Sequence, residues 1–210
     1  MNELDELEKL NSTITSEANK ILYDRGLLGI LGKYGNPVLT GSYVLGLMTW
    51  RDLDIYLETN EMTEKRFFQL GEEIALGLKP QRMHYRNEFI GKTPNLPVGF
   101  YWGIYIISPG FPEEWKIDIW AIDANQTTKL QKELEDLKSK IAKNARPIIL
   151  KIKNHFCKHP EYRRTFTSMD IYHAVIEDRG SKVTRYERLQ GLGRRFEFIL
   201  RHVTAGFCTR

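Results

Sequence analysis

Two cysteines in 210 residues, Cys157 and Cys208, are too few for a disulfide framework, and no Cys-x-x-Cys pair exists. A reducing, intracellular setting is therefore expected, and with it a cytoplasmic location. Long apolar runs are also missing. The longest, Val98 to Ile107, has 10 residues, too few to span a bilayer as a helix, so no membrane partner is expected. Its aromatic and β-branched content suits a buried strand instead. The acidic start Met-Asn-Glu-Leu-Asp-Glu lacks the basic opening and apolar stretch of a signal peptide. There is no internal repeat, no low-complexity tract, no arginine-rich stretch and no zinc knuckle. Disorder is excluded by composition, with 41% hydrophobic and 28% charged residues.

What is present is uneven. The formal net charge is +4. Residues 143–210 hold 15 Lys/Arg against 6 Asp/Glu, whereas residues 1–142 hold 16 against 21. An acidic front part followed by a basic back part reads as two solvated faces, or as a metal site followed by an anion-binding surface.

Hydrophobic periodicity sets out the elements. Leu4, Leu7, Ile14, Ala18, Ile21 and Leu22 recur at helical spacing, and Gly35-Asn36-Pro37 ends that stretch. Val38-Leu39 reads as a short strand running into Gly41-Ser42, with a short helix over 43–49. Residues 52–58 alternate, with Leu53, Ile55 and Leu57 on one side and Asp52, Asp54, Tyr56 and Glu58 on the other. A helix is predicted over 61–78, then strands near 81–90, 98–107 and 115–122. The strand near 98–107 is apolar on both faces and is expected at the centre. From Asp123 onward the pattern is helical: about 124–143 behind an Asp123/Gln126 capping box, 147–157 with Pro147 in its first turn, a helix from Ser168 to Gly180, and a last one over 187–203. The expected class is α+β: a mixed, mainly antiparallel sheet domain over 1–123 and a helical C-terminal part over 124–210, with an acceptor between them.

The chemistry concentrates in Gly41-Ser42-Tyr43-Val44-Leu45-Gly46-Leu47-Met48-Thr49-Trp50-Arg51-Asp52-Leu53-Asp54. Asp52 and Asp54, two apart on a strand, project from one face and are able to clamp hard cations that bridge triphosphate oxygens. Asp118 stands between Ile117 and Ile119 on the polar face of a later strand. A carboxylate there is costly unless a cation meets it. Gly41 allows backbone amides to approach phosphate closely, and Ser42 adds a hydroxyl donor.

Gly-Ser, nine residues, Asp-x-Asp on a strand and a lone Asp between apolar residues together resemble the DNA polymerase beta-type nucleotidyltransferase superfamily. Within it, the chain is most similar to the minimal and antibiotic-modifying members. The resemblance covers residues 36–122. It implies that Asp52, Asp54 and Asp118 ligate two Mg²⁺ (or Mn²⁺) ions, that Gly41-Ser42 contacts the triphosphate of an NTP co-substrate, and that Asp118 doubles as the base. The implied reaction moves an NMP onto a hydroxyl of a small acceptor, aminoglycoside- or lincosamide-like, as in antibiotic resistance. Protein or RNA acceptors of the toxin–antitoxin type are the rival, and a non-catalytic basic nucleic-acid-binding module is the third reading. Acidic Glu113-Glu114 is expected to draw a cationic acceptor.

Other readings of the motif fit less well. An EF-hand needs a further ligand and a glycine where Ile55-Tyr56-Leu57 stands. Phosphatases of the haloacid dehalogenase type place Thr or Val where Tyr56 is. Arg51 and Lys151, with Lys153 beside it, are candidates for the triphosphate, and Trp120 for stacking on a base. Asp123 reads as a helix cap rather than a ligand. His155, Cys157 and His159 point in different directions along a helix and make a poor zinc site. Arg195 and His202 are set aside as dipole-complementing residues of a terminal helix.

Overall fold

The computed structural model describes residues 2–107, 110–141, 145–160, 162, 164 and 166–177. It divides into two compact units. One comprises the described residues of Met1–Glu8 and Ser139–Arg210, and the other is Lys9–Lys138.

In chain order the helices are α1 (Glu3–Asn19), α2 (Leu27–Gly32), α3 (Gly41–Leu45), α4 (Glu64–Leu78), α5 (Glu88–Gly91), α6 (Ala124–Lys140), α7 (Arg146–Phe156) and α8 (Ser168–Glu177). The strands are β1 (Asn36–Leu39), β2 (Asp52–Glu58), β3 (Arg82–Asn87), β4 (Phe100–Ile106) and β5 (Trp115–Ile122). A π-helical turn, Lys20–Asp24, carries the apolar face of α1 one turn further, so that Ile21 and Leu22 are buried with Ile14 and Ala18. Gly26, at φ 75°, then turns the chain into α2. Sequence periodicity does not resolve α2, because Leu27-Leu28-Gly29-Ile30-Leu31-Gly32 is apolar all round.

The sheet has the order β1-β2-β5-β4-β3. Only β2 and β5 run parallel; the other three pairings are antiparallel. The fold class is the expected α+β one. The central strand is β5, not β4. β4 is interior, flanked by β5 and β3, which is why both its faces are apolar. One sheet face carries Leu53, Ile55 and Leu57 of β2, Ile117 and Ile119 of β5 and Trp102 and Ile104 of β4, packed with Ile14 and Ile21, with Leu27 and Leu31 of α2, and with Phe67, Leu70 and Ile74 of α4. Each such side chain stabilises by about 1.5–3 kcal/mol on burial. Gly71 of α4 lets Trp102 lie flat on the helix, and its indole N–H donates to the Phe67 carbonyl at 3.1 Å.

The boundaries moved where local hydrogen bonds outbid periodicity. The Thr63 hydroxyl accepts from Arg66 N at 3.2 Å and caps α4 at its first turn. The strand predicted to run to 90 stops at Asn87, whose side chain accepts from Phe89 N and opens α5. α3 starts at Gly41 and stops at Gly46, φ 65°, rather than covering 43–49. Asp123 is a cap: its Oδ1 accepts Gln126 N at 2.9 Å and its Oδ2 accepts the Gln126 side-chain amide at 2.7 Å.

The other unit packs Ile149, Leu150, Ile152 and Phe156 of α7 with Ile171, Tyr172 and Val175 of α8. Ser168 opens α8 as its first residue and bonds Tyr162 instead of capping; Asp170 closes the start of the helix by accepting from Thr167 N at 2.7 Å. The helix predicted over 187–203, with Arg195 and His202, and residues 178–180 of the preceding one lie outside the described residues, as does Cys208. Among the described residues no helix is long and apolar enough to cross a membrane.

Candidate active site

The face of the sheet opposite the core is built by register. β2 and β5 run parallel and in phase, so Asp54 stands beside Asp118 and Asp52 beside Lys116. Carrying the register on to β4 and β3 gives three rows across the same face. The first is Asp52, Lys116, Tyr105, Arg82; the second is Asp54, Asp118, Gly103, His84; the third is Tyr56, Trp120, Tyr101, Arg86. With strands about 4.8 Å apart, each row runs from carboxylate or phenol, across aromatic or glycine, to a basic edge.

The three sequence-predicted aspartates converge. Asp52, Asp54 and Asp118 each offer a carboxylate oxygen, all within 4.8 Å of one another, and each is half-buried. Hard oxygen donors at this separation suit Mg²⁺ or Mn²⁺. Asp118 is held on both oxygens. Its Oδ1 accepts the Tyr101 hydroxyl at 2.8 Å, and its Oδ2 lies 2.5 Å from Lys116 Nζ. Burial pushes the Asp118 carboxyl above its ordinary range; the Lys116 charge opposes that rise and the Asp52 charge adds to it. Burial, then the neighbouring Asp54 charge, pushes the Tyr56 phenol up to about 12. Tyr101 is raised as well, first by burial and then by Asp118.

Two glycines make the arrangement possible. Gly41 has φ +64°, and a Cβ there would run into Asp54 Oδ2, so the start of α3 lies directly against the triad. Gly103 sits opposite Asp118, and a Cβ there would strike the Tyr101 hydroxyl. Only without that Cβ does the Tyr101 ring cross its own strand to reach Asp118.

No protein-family model matches the sequence, and no curated protein does. Solved structures do. A chain from the non-canonical poly(A) polymerase complex GLD-2–GLD-3 superposes with a TM-score of 0.57 at 15% identity, over 93% of this chain and 65% of that chain. A chain of the GLD-2/RNP-8 complex gives 0.50 at 15% identity, over 92% and 72%. The chain shares the fold of these two structures. It spans 65% of the length of the first of these neighbours.

On this fold the remaining candidates fall in different places. Arg51, just before Asp52, turns to Glu17 of α1 with two bonds of 2.6 and 2.8 Å and reaches Glu113 at 3.0 Å. Its side chain is 8% exposed, as is that of Glu17, which also accepts the Trp115 indole N–H at 3.1 Å. The Arg51 carbonyl accepts Lys116 N at 3.0 Å, so the pair holds the starts of both strands that carry the triad. Lys151 lies on α7 in the other unit and pairs with Glu3 at 2.9 Å. Lys153 is fully buried, its ammonium 2.8 Å from the Tyr172 hydroxyl. Trp120 lies against Tyr101 with ring centroids 4.8 Å apart. His155 and His159 contact Phe156 edge-on, and Cys157 donates to the Asn154 carbonyl. Among the described residues only the aspartate triad forms a metal-competent cluster. Lys116, Tyr101 and Gly103 were the residues that sequence reasoning missed. The signal for Lys116 was its place on the Asp118 face, two residues away; nothing local marks Tyr101, because its role depends on pairing across the sheet.

Proposed function

We propose that the chain is a divalent-metal-dependent nucleotidyltransferase, moving an NMP from an NTP to an acceptor hydroxyl with release of pyrophosphate. The observation that carries this reading is the convergence of Asp52, Asp54 and Asp118 within 4.8 Å on one face of a nucleotidyltransferase fold. Mg²⁺ or Mn²⁺ held by these carboxylates would supply charge neutralisation along the triphosphate and activation of the attacking oxygen. Gly41-Ser42 binds the triphosphate beside Asp54. Asp118, adjacent to Asp54, is the proposed base for the acceptor hydroxyl. Arg51 serves this site through its hold on the strand starts.

RNA is the acceptor we favour. The fold neighbours include a poly(A) polymerase complex, and the basic edge of the sheet offers Arg82 stacked on Tyr105, 3.9 Å from the ring centroid, next to His84. Such a shelf accepts bases and phosphates. The second reading is a small hydroxylated acceptor of the aminoglycoside or lincosamide type. The acidic balance of residues 1–142, 21 against 16, favours a cationic acceptor. Glu113 and Glu114 contribute less to it than their charges suggest, since they pair with Arg51 and Arg82.

The test incubates the protein with each labelled NTP, Mg²⁺ or Mn²⁺, and either an RNA primer or a panel of hydroxylated antibiotics. The expected outcome is addition of NMP units to the RNA 3′ end. Asp52→Asn, Asp54→Asn and Asp118→Asn should keep the fold and lower transfer at least about a hundredfold. Wild-type turnover in all three would sink the two-metal reading; transfer to small molecules alone would select the second acceptor.

A further inference from the structure

Lys116 brings a side-chain ammonium in among the triad carboxylates. Its Nζ is 2.5 Å from Asp118 Oδ2 and 3.8 Å from Asp52 Oδ1, with the lysine and both aspartate side chains less than one-fifth exposed. Strand register fixes this placement. Lys116 pairs with Asp52 across the β2–β5 ladder and lies two residues before Asp118, on the same face. Three carboxylates within 4.8 Å repel one another unless positive charge is shared among them. The lysine supplies that charge from within the fold, at the point where a cation ligated by Asp118 and Asp52 belongs. With Tyr101 on Oδ1 and Lys116 on Oδ2, both oxygens of Asp118 are engaged.

We propose that Lys116 is the resident counter-ion of the triad. Its ammonium holds the carboxylates together before metal arrives and must leave Asp118 for a divalent cation to load, so Lys116 sets the cation concentration that the site requires. The proposal rests on the metal-site reading above. A lysine suits the role because its four-carbon stem is flexible and its ammonium is a compact point charge, free to move aside without repacking the strand.

The experiment measures Mn²⁺ binding to the full chain by calorimetry and by electron paramagnetic resonance, without nucleotide, and melting temperature in EDTA and in Mn²⁺. Lys116→Met removes the charge and keeps the bulk. It is expected to bind Mn²⁺ about tenfold more tightly than wild type, to melt lower in EDTA and to gain more from Mn²⁺. Lys116→Gln keeps a hydrogen bond to Asp118 without the charge and should match Lys116→Met in affinity while melting closer to wild type. Lys116→Arg should stay near the wild-type affinity. Saturable Mn²⁺ binding that Asp118→Asn weakens, but that Lys116→Met and Lys116→Gln leave unchanged or weaken, would overturn the counter-ion role while the metal site stands. No saturable Mn²⁺ binding in any of these proteins would overturn the metal reading and the proposal together.

Discussion

A missing Cβ controls two of the contacts at the triad. At Gly41 a side chain would meet two obstacles, a φ of +64° and the Asp54 carboxylate. Gly41→Val is expected to cost about 1–2 kcal/mol through backbone strain alone and to displace Asp54, so calorimetry with Mg²⁺ and a non-hydrolysable NTP should show weakened binding. Ser42→Ala should weaken it less, since the backbone approach is preserved. Unchanged affinity in Gly41→Val would show that the triphosphate does not lie there. The aspartates were legible in the sequence because strand alternation and spacing both act over a few residues. Tyr101 was less legible because its partner Asp118 lies 17 residues away on another strand, and the placement of Lys116 beside Asp52 is set only by the register between β2 and β5.

At the scale of elements, helix caps and one buried ion pair position the site. Asp123 ends β5 and begins α6. Backbone and side-chain hydrogen bonds from Gln126 hold its carboxyl below the ordinary aspartate range. A depressed folded-state pKa contributes stability that is present above the unfolded value and lost as pH falls through the folded one. Asp123→Ala should therefore cost about 1 kcal/mol near neutral pH, and the gap to wild type should close as pH drops below the ordinary aspartate range, read by urea unfolding across pH. The Glu17–Arg51 pair is a different case. Both side chains are nearly buried, so Glu17→Ala leaves a guanidinium with only Glu113, and a loss of about 3 kcal/mol is expected. Sequence reading located Arg51 from its place beside Asp52 but not its partner, because Glu17 lies 34 residues earlier on an amphipathic helix. Periodicity gave α1, β2, β5 and α6 closely, whereas α2 and α5 needed tertiary context: α2 is apolar all round, and α5 depends on the Asn87 cap and on buried Glu88, which accepts Thr93 N at 2.8 Å.

For the whole molecule, the distribution of charge distinguishes the two acceptor readings. A polynucleotide that starts at Asp118 and crosses the sheet reaches the edge strand β3, where the first row ends in Arg82 and the third in Arg86. Each arginine is about half-exposed and each is paired, Arg82 with Glu114 at 2.8 Å and Arg86 with Glu88 at 2.6 Å. The Arg82 pair is exposed and worth little, so a phosphate competes with it at small cost. Glu88 is buried but keeps its two Thr93 bonds, so Arg86 turns to a phosphate without leaving that carboxylate unbonded. Two phosphate contacts on a single strand give a slope of about −1.4 in log affinity against log salt, or about a sevenfold loss from 50 to 200 mM. The KM for an RNA primer should therefore rise at least that much over this range. Replacing Arg82 and Arg86 together by serine should flatten the slope by about 1.4 while leaving Mn²⁺ binding at the triad unchanged. A small hydroxylated acceptor has no phosphate backbone to meet Arg82 and Arg86, so any salt dependence of its KM, set by screening of its own charge, should survive the double substitution unchanged. A steep slope that survives the double substitution would move the RNA path off the sheet edge, and a flat one for RNA in the wild type would exclude a backbone-gripping acceptor site altogether.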